Sequence, residues 1–230
     1  MFPTIPPPPE RLLVFARLPE RGRVKTRLAR DIGDERALML YEAMLRDTLR
    51  SIGGAAEHLE IEVMWAPTSS ANGDALHRAF GERPLAMQTG TTLGDRLSMA
   101  FSERFFFHRT MKIIDIGVDD PSLDRELLDH AFALLDSCEW VLGPAADGGY
   151  YLIGCRAASF SSEVFMDIEW GTASVLAATL AKIRDSTSSV ALLPERRDID
   201  EAEDLRTYQS KGEVGALLRE WGYSDTIPSS

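Results

Sequence analysis

Cysteine is nearly missing from these 230 residues. Cys138 and Cys155 form no CxxC element and are too few for a disulfide framework, so both read as buried free thiols. His58, His77, His108 and His130 are scattered without zinc-ligand spacing and imply no shared site. No stretch is apolar enough to span a bilayer, and MFPTIPPPPE lacks the basic start and apolar run of a secretion signal; the expectation is a cytoplasmic protein without membrane insertion. Positive charge is also in deficit. Against 36 acidic residues stand 25 basic ones, for a formal net charge of −11, and only Lys25, Lys112, Lys182 and Lys211 are lysines. Such a field repels polyanions and argues against a nucleic-acid track, while leaving room for one basic pocket that attracts a small phosphate.

What is present suits a globular chain: 44% of residues are hydrophobic and 27% charged. RLLVFAR at 11–17 reads as a short buried strand, followed by a loop at 18–25. DERALMLYEAMLRDTLRSI then places Leu38, Tyr41, Leu45 and Leu49 at helical spacing, with Asp34 as the expected cap. Strands are expected at 58–67, 84–88, 111–118, in EWVLG and YYLIGC, and in SVALLP. Helices are expected near 74–80, over 92–106, 123–137 and 172–183, and in DIDEAEDLRTY, where Asp200 and Glu203 have capping-box spacing. This alternation predicts a three-layer α/β/α sandwich with a mostly parallel central sheet. The expected organisation is a flexible proline-rich lead at 1–10, one domain over 11–223 and a loose tail at 224–230.

The basic loop after the first strand carries the first chemical signal. Gly22, Arg23, Lys25, Thr26 and Arg27 lie at a strand-to-helix passage, where exposed amides and cationic side chains can surround a phosphate. The loop has neither the Walker pattern nor the GxGxxG fingerprint, and a solvated basic loop is the plain alternative. IIDIGVDDPSL puts Asp119 and Asp120 just beyond a central strand, the edge where ligands gather in open parallel sheets. Asp119 is the expected metal-facing member; Asp120 is a second ligand or a turn-former. AADGGYYLIG adds Asp147 as a second metal candidate, and Gly148 and Gly149 can serve a tight connection or the site. In ERRDIDEAEDL, Asp198 is the better functional candidate, because Asp200 at a cap would be occupied by backbone amides. Tyr150, Tyr151 and Trp170 are wall candidates or ordinary packing.

Taken together, the blocks at 12–29, 92–101, 116–123, 141–154, 169–180 and 192–205 resemble the DUF2064 family of GT-A-like glycosyltransferases, also called radical-SAM/selenodomain-associated transferase 1. The most specific are LLVFARLPERGRVKTRLA and VLGPAADGGYYLIG. The resemblance implies a GT-A, or nucleotide-diphospho-sugar transferase, fold with the nucleotide near the N-terminal half and a divalent cation near the central aspartate. It maps the family's loop onto Lys25, Thr26 and Arg27, its central acid onto Asp119, its DGGY onto Asp147 to Tyr150, and its late DxD onto Asp198 and Asp200. Nucleotidyltransferases of cofactor synthesis share the fold. This chain departs from the pattern at Arg17 and Arg21, where relatives often carry lysine and proline. It departs again at Asp120, in place of a small residue or cysteine, and at Gly171, in place of a hydroxyl residue.

The expected activity is a metal-dependent transfer from a nucleoside-diphosphate sugar to a small-molecule acceptor, with magnesium or manganese as cofactor. Lys25 and Arg27 stabilise phosphate charge, Asp119 holds the cation with Asp147, and Asp198 orients or deprotonates the acceptor. Trp170 and Thr172 shape the acceptor side. The alternatives are nucleotidyl transfer from a nucleoside triphosphate with release of pyrophosphate, and a nucleotide-sensing or interaction domain without turnover. A homodimer is compatible with the sequence, which specifies no interface.

Overall fold

In the computed structural model, the structure describes residues 10–53, 59–66, 85–208 and 212–223. The lead before Glu10, the tail after Tyr223, the expected helix near 74–80, and His58 and His77 lie outside these residues.

The apolar runs form seven strands: β1 (Glu10–Ala16), β2 (Leu59–Trp65), β3 (Leu85–Met87), β4 (Lys112–Ile116), β5 (Trp140–Pro144), β6 (Tyr150–Arg156) and β7 (Val190–Leu192). They build one sheet in the order β3-β2-β1-β4-β6-β5-β7. β6 runs antiparallel to β4 and β5; the other pairings are parallel. From β1 the chain builds outward to β2 and β3, then returns to place β4 on the opposite side of β1. The carboxyl ends of β1 and β4 therefore flank a switch point, where diverging connections open a crevice.

Seven α-helices accompany the sheet among the described residues: α1 (Ala29–Ile32), α2 (Asp34–Ser51), α3 (Leu93–Phe106), α4 (Arg125–Ser137), α5 (Val175–Asp185), α6 (Asp204–Thr207) and α7 (Glu213–Glu220). Period-two alternation in the strands divides the core. Leu12, Val14, Val63, Ile114, Ile116 and Leu152 pack against α2 and α4 on one face. On the other, Leu13, Met64, Ile113, Leu142 and Ile153 pack against α3 and α5. A third apolar cluster buries Leu40, Ala43 and Met44 of α2 against Val214 and Leu218 of α7. It also takes in Leu28 and Ile199, which brings the segment after β7 against the end of the basic loop.

Several local expectations need correction. Gly33, at φ 85°, precedes α2, and Asp34 is its first residue rather than its cap. α3 starts in a capping box between Thr92 and Asp95, and α4 is capped by Asp124, which accepts from the Leu127 amide. The capping box expected from Asp200 and Glu203 does not form. Asp204 instead accepts from the Asp200 and Glu201 amides, leaving the Asp200 carboxylate available elsewhere.

One buried ion network fixes the C-terminal part of α3 to the sheet, toward the amino end of β1. Arg104 on α3 donates twice to Glu62 on β2, at 3.0 and 2.6 Å, and Arg11 on β1 donates to the same carboxylate at 3.1 Å. Burial alone would raise the Glu62 carboxyl, yet the Arg104 and Arg11 guanidiniums hold it below the usual range. Replacing Glu62 with Ala leaves two arginines buried with their central partner gone. The expected cost is about 3 kcal/mol of folding stability, measured as a shift in the urea midpoint; a change near zero rejects this account of how α3 is held.

Candidate active site

A cleft of about 490 Å³ opens along the carboxyl ends of β1, β2 and β4. Arg17, Arg23, Lys25, Thr26 and Arg27 from the loop after β1 line one side, with Arg96 of α3 and Asp119 and Asp200 from later segments. Gly22, at φ 73°, sharpens the turn that returns this loop toward α1.

Lys25 is the point at which these segments meet. Its ammonium lies 2.6 Å from Asp119 Oδ1 and 2.9 Å from Asp200 Oδ1, and it donates to the Ile199 carbonyl at 2.6 Å. Three donors thus meet three acceptors, and the side chain is only 4% exposed. Burial would lower its pKa, but the two carboxylates overcome that effect and hold it above the ordinary lysine value. The Lys25 backbone is left-handed, at φ 45°. A residue with a side chain adopts that conformation at a cost on the order of 1–3 kcal/mol, and such strain gathers at functional sites.

The adjacent acids diverge at a bend just beyond β4. Asp119 turns to Lys25, with its side chain roughly half exposed. Asp120 is buried and committed to the scaffold: it pairs with Arg196 at 2.6 Å and accepts from the Ser122 amide and the Tyr208 hydroxyl. Of its two expected roles, further metal or acceptor ligand and turn-former, these contacts are those of a turn-former.

Asp200, expected to be spent on a helix cap, reaches Lys25 and lines the cleft. Asp198 is half-buried and its Oδ1 has no hydrogen-bond partner. Its carboxyl is pushed up to about 7, first by burial and then by the charges of Asp119, Asp200 and Asp147, against the opposing effect of Lys25. Asp147 does not line the cleft. Its Oδ1 accepts the Gly149 amide at 2.8 Å, and its charge reaches the site through Asp198.

The expected acceptor-side residues divide. Tyr150 lines the cleft, whereas Gly148, Gly149, Trp170 and Thr172 are not part of its lining. Gly148 has φ 90°, and a Cβ there would run into Ala173 backbone, so this glycine is required by a close chain crossing. Trp170 packs edge-on to Tyr150 with ring centres 6.3 Å apart, and the Thr172 hydroxyl donates to the Glu169 carbonyl. The sequence reading missed Arg96, Gln88 and Asp115 as lining residues. The signal for Asp115 was present as the lone acid in the apolar run MKIIDIGV.

Among the described residues, no group of three or more His, Cys, Asp or Glu side chains forms a ready-made metal cluster. The donor chemistry nonetheless suits a hard dication. Asp119 and Asp200 converge on one cation, the Lys25 ammonium, and the unpartnered Asp198 Oδ1 belongs to the same electrostatic group.

Comparisons with known proteins agree with the architecture. The family model described as "Uncharacterized protein conserved in bacteria (DUF2064)" matches residues 49–172, more than half of the chain. A crystal structure from Desulfovibrio desulfuricans G20, provisionally assigned as a nucleotide-diphospho-sugar transferase, superposes with a TM-score of 0.84 at 31% identity, covering 92% of this chain and 94% of that one. The inositol-1-phosphate CTP transferase from T. maritima superposes with a TM-score of 0.56 at 14% identity, covering 91% and 95%. For 4-diphosphocytidyl-2C-methyl-D-erythritol synthase from Anaerococcus prevotii the TM-score is 0.57 at 10% identity, covering 92% and 95%. No curated protein sequence matches the chain. The fold is that of the nucleotide-diphospho-sugar transferases.

Two outcomes follow from this geometry. Lys25→Met leaves Asp119 and Asp200 facing each other without their shared cation. Because both carboxylates are roughly half exposed, the expected loss is about 1–3 kcal/mol in urea unfolding at low salt. An unchanged midpoint contradicts the clamp. For Asp198, the folded carboxyl titrates at about 7 against an ordinary 3.8, so its contribution to stability is present below pH 3.8 and is lost as pH rises to about 7. The melting temperature of the wild type minus that of Asp198→Asn should fall across that window and then level off. A difference that does not vary with pH shows that Asp198 titrates normally.

Proposed function

The chain belongs to the DUF2064 family, and from its site we propose that it is a metal-dependent transferase acting on a nucleoside-diphosphate sugar and a small hydroxyl-bearing acceptor. The observation that carries this reading is the convergence of Lys25, Asp119 and Asp200 at an arginine-lined cleft over the carboxyl edge of the sheet. Asp119 and Asp200 are the residues that would hold magnesium or manganese, which supplies a Lewis acid for diphosphate oxygens.

In this reading Arg17, Arg23, Arg27 and Arg96 bind and orient those oxygens and stabilise the charge gathering on the leaving nucleotide. Lys25, with its three donors engaged by protein acceptors, positions the carboxylates. The acceptor oxygen forms a bond to the anomeric carbon as the bond from that carbon to the diphosphate breaks. The electron pair leaves with the nucleoside diphosphate, and the acceptor proton passes to the Asp198 carboxylate, whose Oδ1 has no hydrogen-bond partner within the protein.

The likeness in fold to the T. maritima CTP transferase and the A. prevotii synthase favours a second reading, nucleotidyl transfer with loss of pyrophosphate. The two make different products. Incubation with nucleotide sugars or nucleoside triphosphates, magnesium or manganese, and a panel of acceptors, read by mass spectrometry, should give a nucleoside diphosphate and a glycosylated acceptor. Pyrophosphate and a nucleotide-linked acceptor would establish the second reading instead. Asp119→Ala, folded by circular dichroism, should lower kcat/KM by about a hundredfold or more; full retained turnover removes Asp119 from the centre.

A further inference from the structure

On the floor of the cleft, away from the charged mouth, lies a polar pair that the transfer chemistry does not use. Asp115, the fourth of the five residues of β4, is flanked in register by Leu13 of β1 and Ile153 of β6. It lines the cleft at 7% exposure, and its Oδ1 has no hydrogen-bond partner. Tyr150, at the start of β6, also lines the cleft, close enough that an Asp115 charge would be felt at its hydroxyl. That hydroxyl lies beside the Thr179 hydroxyl, yet neither has a well-formed hydrogen bond. Around them the cleft wall is apolar, with Phe15, Leu97 and Ile153.

We propose that Asp115 and Tyr150 form a subsite for a neutral, hydroxyl-bearing group, the sugar of the bound nucleotide sugar. The inference rests on the nucleotide-sugar reading above and names which end of the ligand each half of the cleft takes.

Buried polar atoms left unpaired are costly, and a ligand that satisfies them gains accordingly. Burial pushes the Asp115 carboxyl well above the usual carboxylate range, and its oxygens accept from a hydroxyl in either state and donate to one when protonated. The Tyr150 hydroxyl has the same dual capacity, which matches sugar hydroxyls. A phosphate would find no cation among Phe15, Leu97 and Ile153, whereas the arginines lie along the mouth. Position agrees with this division. Gln88, Ala16 and Ala66 line the β1–β3 half and leave a planar base that side, while Asp115 and Tyr150 belong to β4 and β6. Asp115 precedes Asp119 by four residues and the chain bends at Val118 and Asp119, so the two lie closer than the roughly 13 Å of an extended segment, a span that a diphosphate and its sugar can bridge.

Calorimetry of the full chain with UDP-glucose and UDP, and with GDP-mannose and GDP, in magnesium reads the affinity that the sugar adds. In the wild type the sugar conjugate should bind more tightly than its parent nucleotide. Asp115→Leu should remove about tenfold of that increment while parent-nucleotide affinity stays unchanged, and Asp115→Asn, neutral and still polar, should keep most of it. If Asp115→Leu does not fold, Tyr150→Phe reads the same increment, with an expected fall of about threefold or more. An increment untouched by these changes, or an equal loss with the parent nucleotides, overturns the subsite. Saturation-transfer NMR with free glucose and mannose tests the floor without any nucleotide. Contact in the wild type that is lost in Asp115→Leu supports the subsite even if the nucleotide reading fails, and absence of contact together with absence of an increment rejects it.

Discussion

The site depends on a single ammonium group that three distant segments must share. Lys25 comes from the loop after β1, Asp119 from the end of β4, and Ile199 and Asp200 from the chain beyond β7. A lysine charge this deeply buried is tolerable only where every donor finds an acceptor, and here each does. Displacing any one segment would leave a charge or a carbonyl unpaired in a poorly solvated place. The apolar contact of Leu28 and Ile199 within the α2 cluster brings the backbones together, and the ion pairs select the final geometry. Hydrophobic burial supplies the force and Lys25 the register.

Asp119 and Asp120 show how one turn serves both scaffold and chemistry. Asp119 holds the rim of the cleft and, through its carbonyl, accepts the Ile199 amide at 3.0 Å. Asp120 points the other way into Arg196, Ser122 and Tyr208, so the turn is braced by the residue next to the one it presents. Arg196 also lies over the Tyr151 ring at 5.9 Å, tying the brace to β6. A carboxylate already saturated by a guanidinium and hydrogen bonds has little left to offer a ligand, whereas the half-exposed one beside it does.

The strands and long helices were legible because their apolar residues repeat with period two or near 3.6, and burial enforces that pattern. The layer order followed from the alternation of elements. Capping was harder to read, because several acids near a helix start have equivalent spacing. Asp204, which the spacing rule did not favour, took the amides and left Asp200 for Lys25. That pairing spans 175 positions and has no local signature. Asp115 is the converse case: visible as an acid within an apolar strand, it had no meaning until the sheet showed that its side chain faces the cleft rather than interrupting the core.

The charge arrangement also constrains how a ligand can enter on the proposed reading. The chain carries a net charge of −11, and the two carboxylates at Lys25 exceed its single positive charge. A diphosphate brought beside them would meet that residual charge, which opposes the attraction of the arginines along the mouth. Asp119 and Asp200 would hold a dication, whose positive charge would offset that opposition. Cation and nucleotide then each strengthen the binding of the other by the same factor, since the coupling free energy belongs to the pair. In the Lys25 clamp the two carboxylates already converge on one cation, the protein's own.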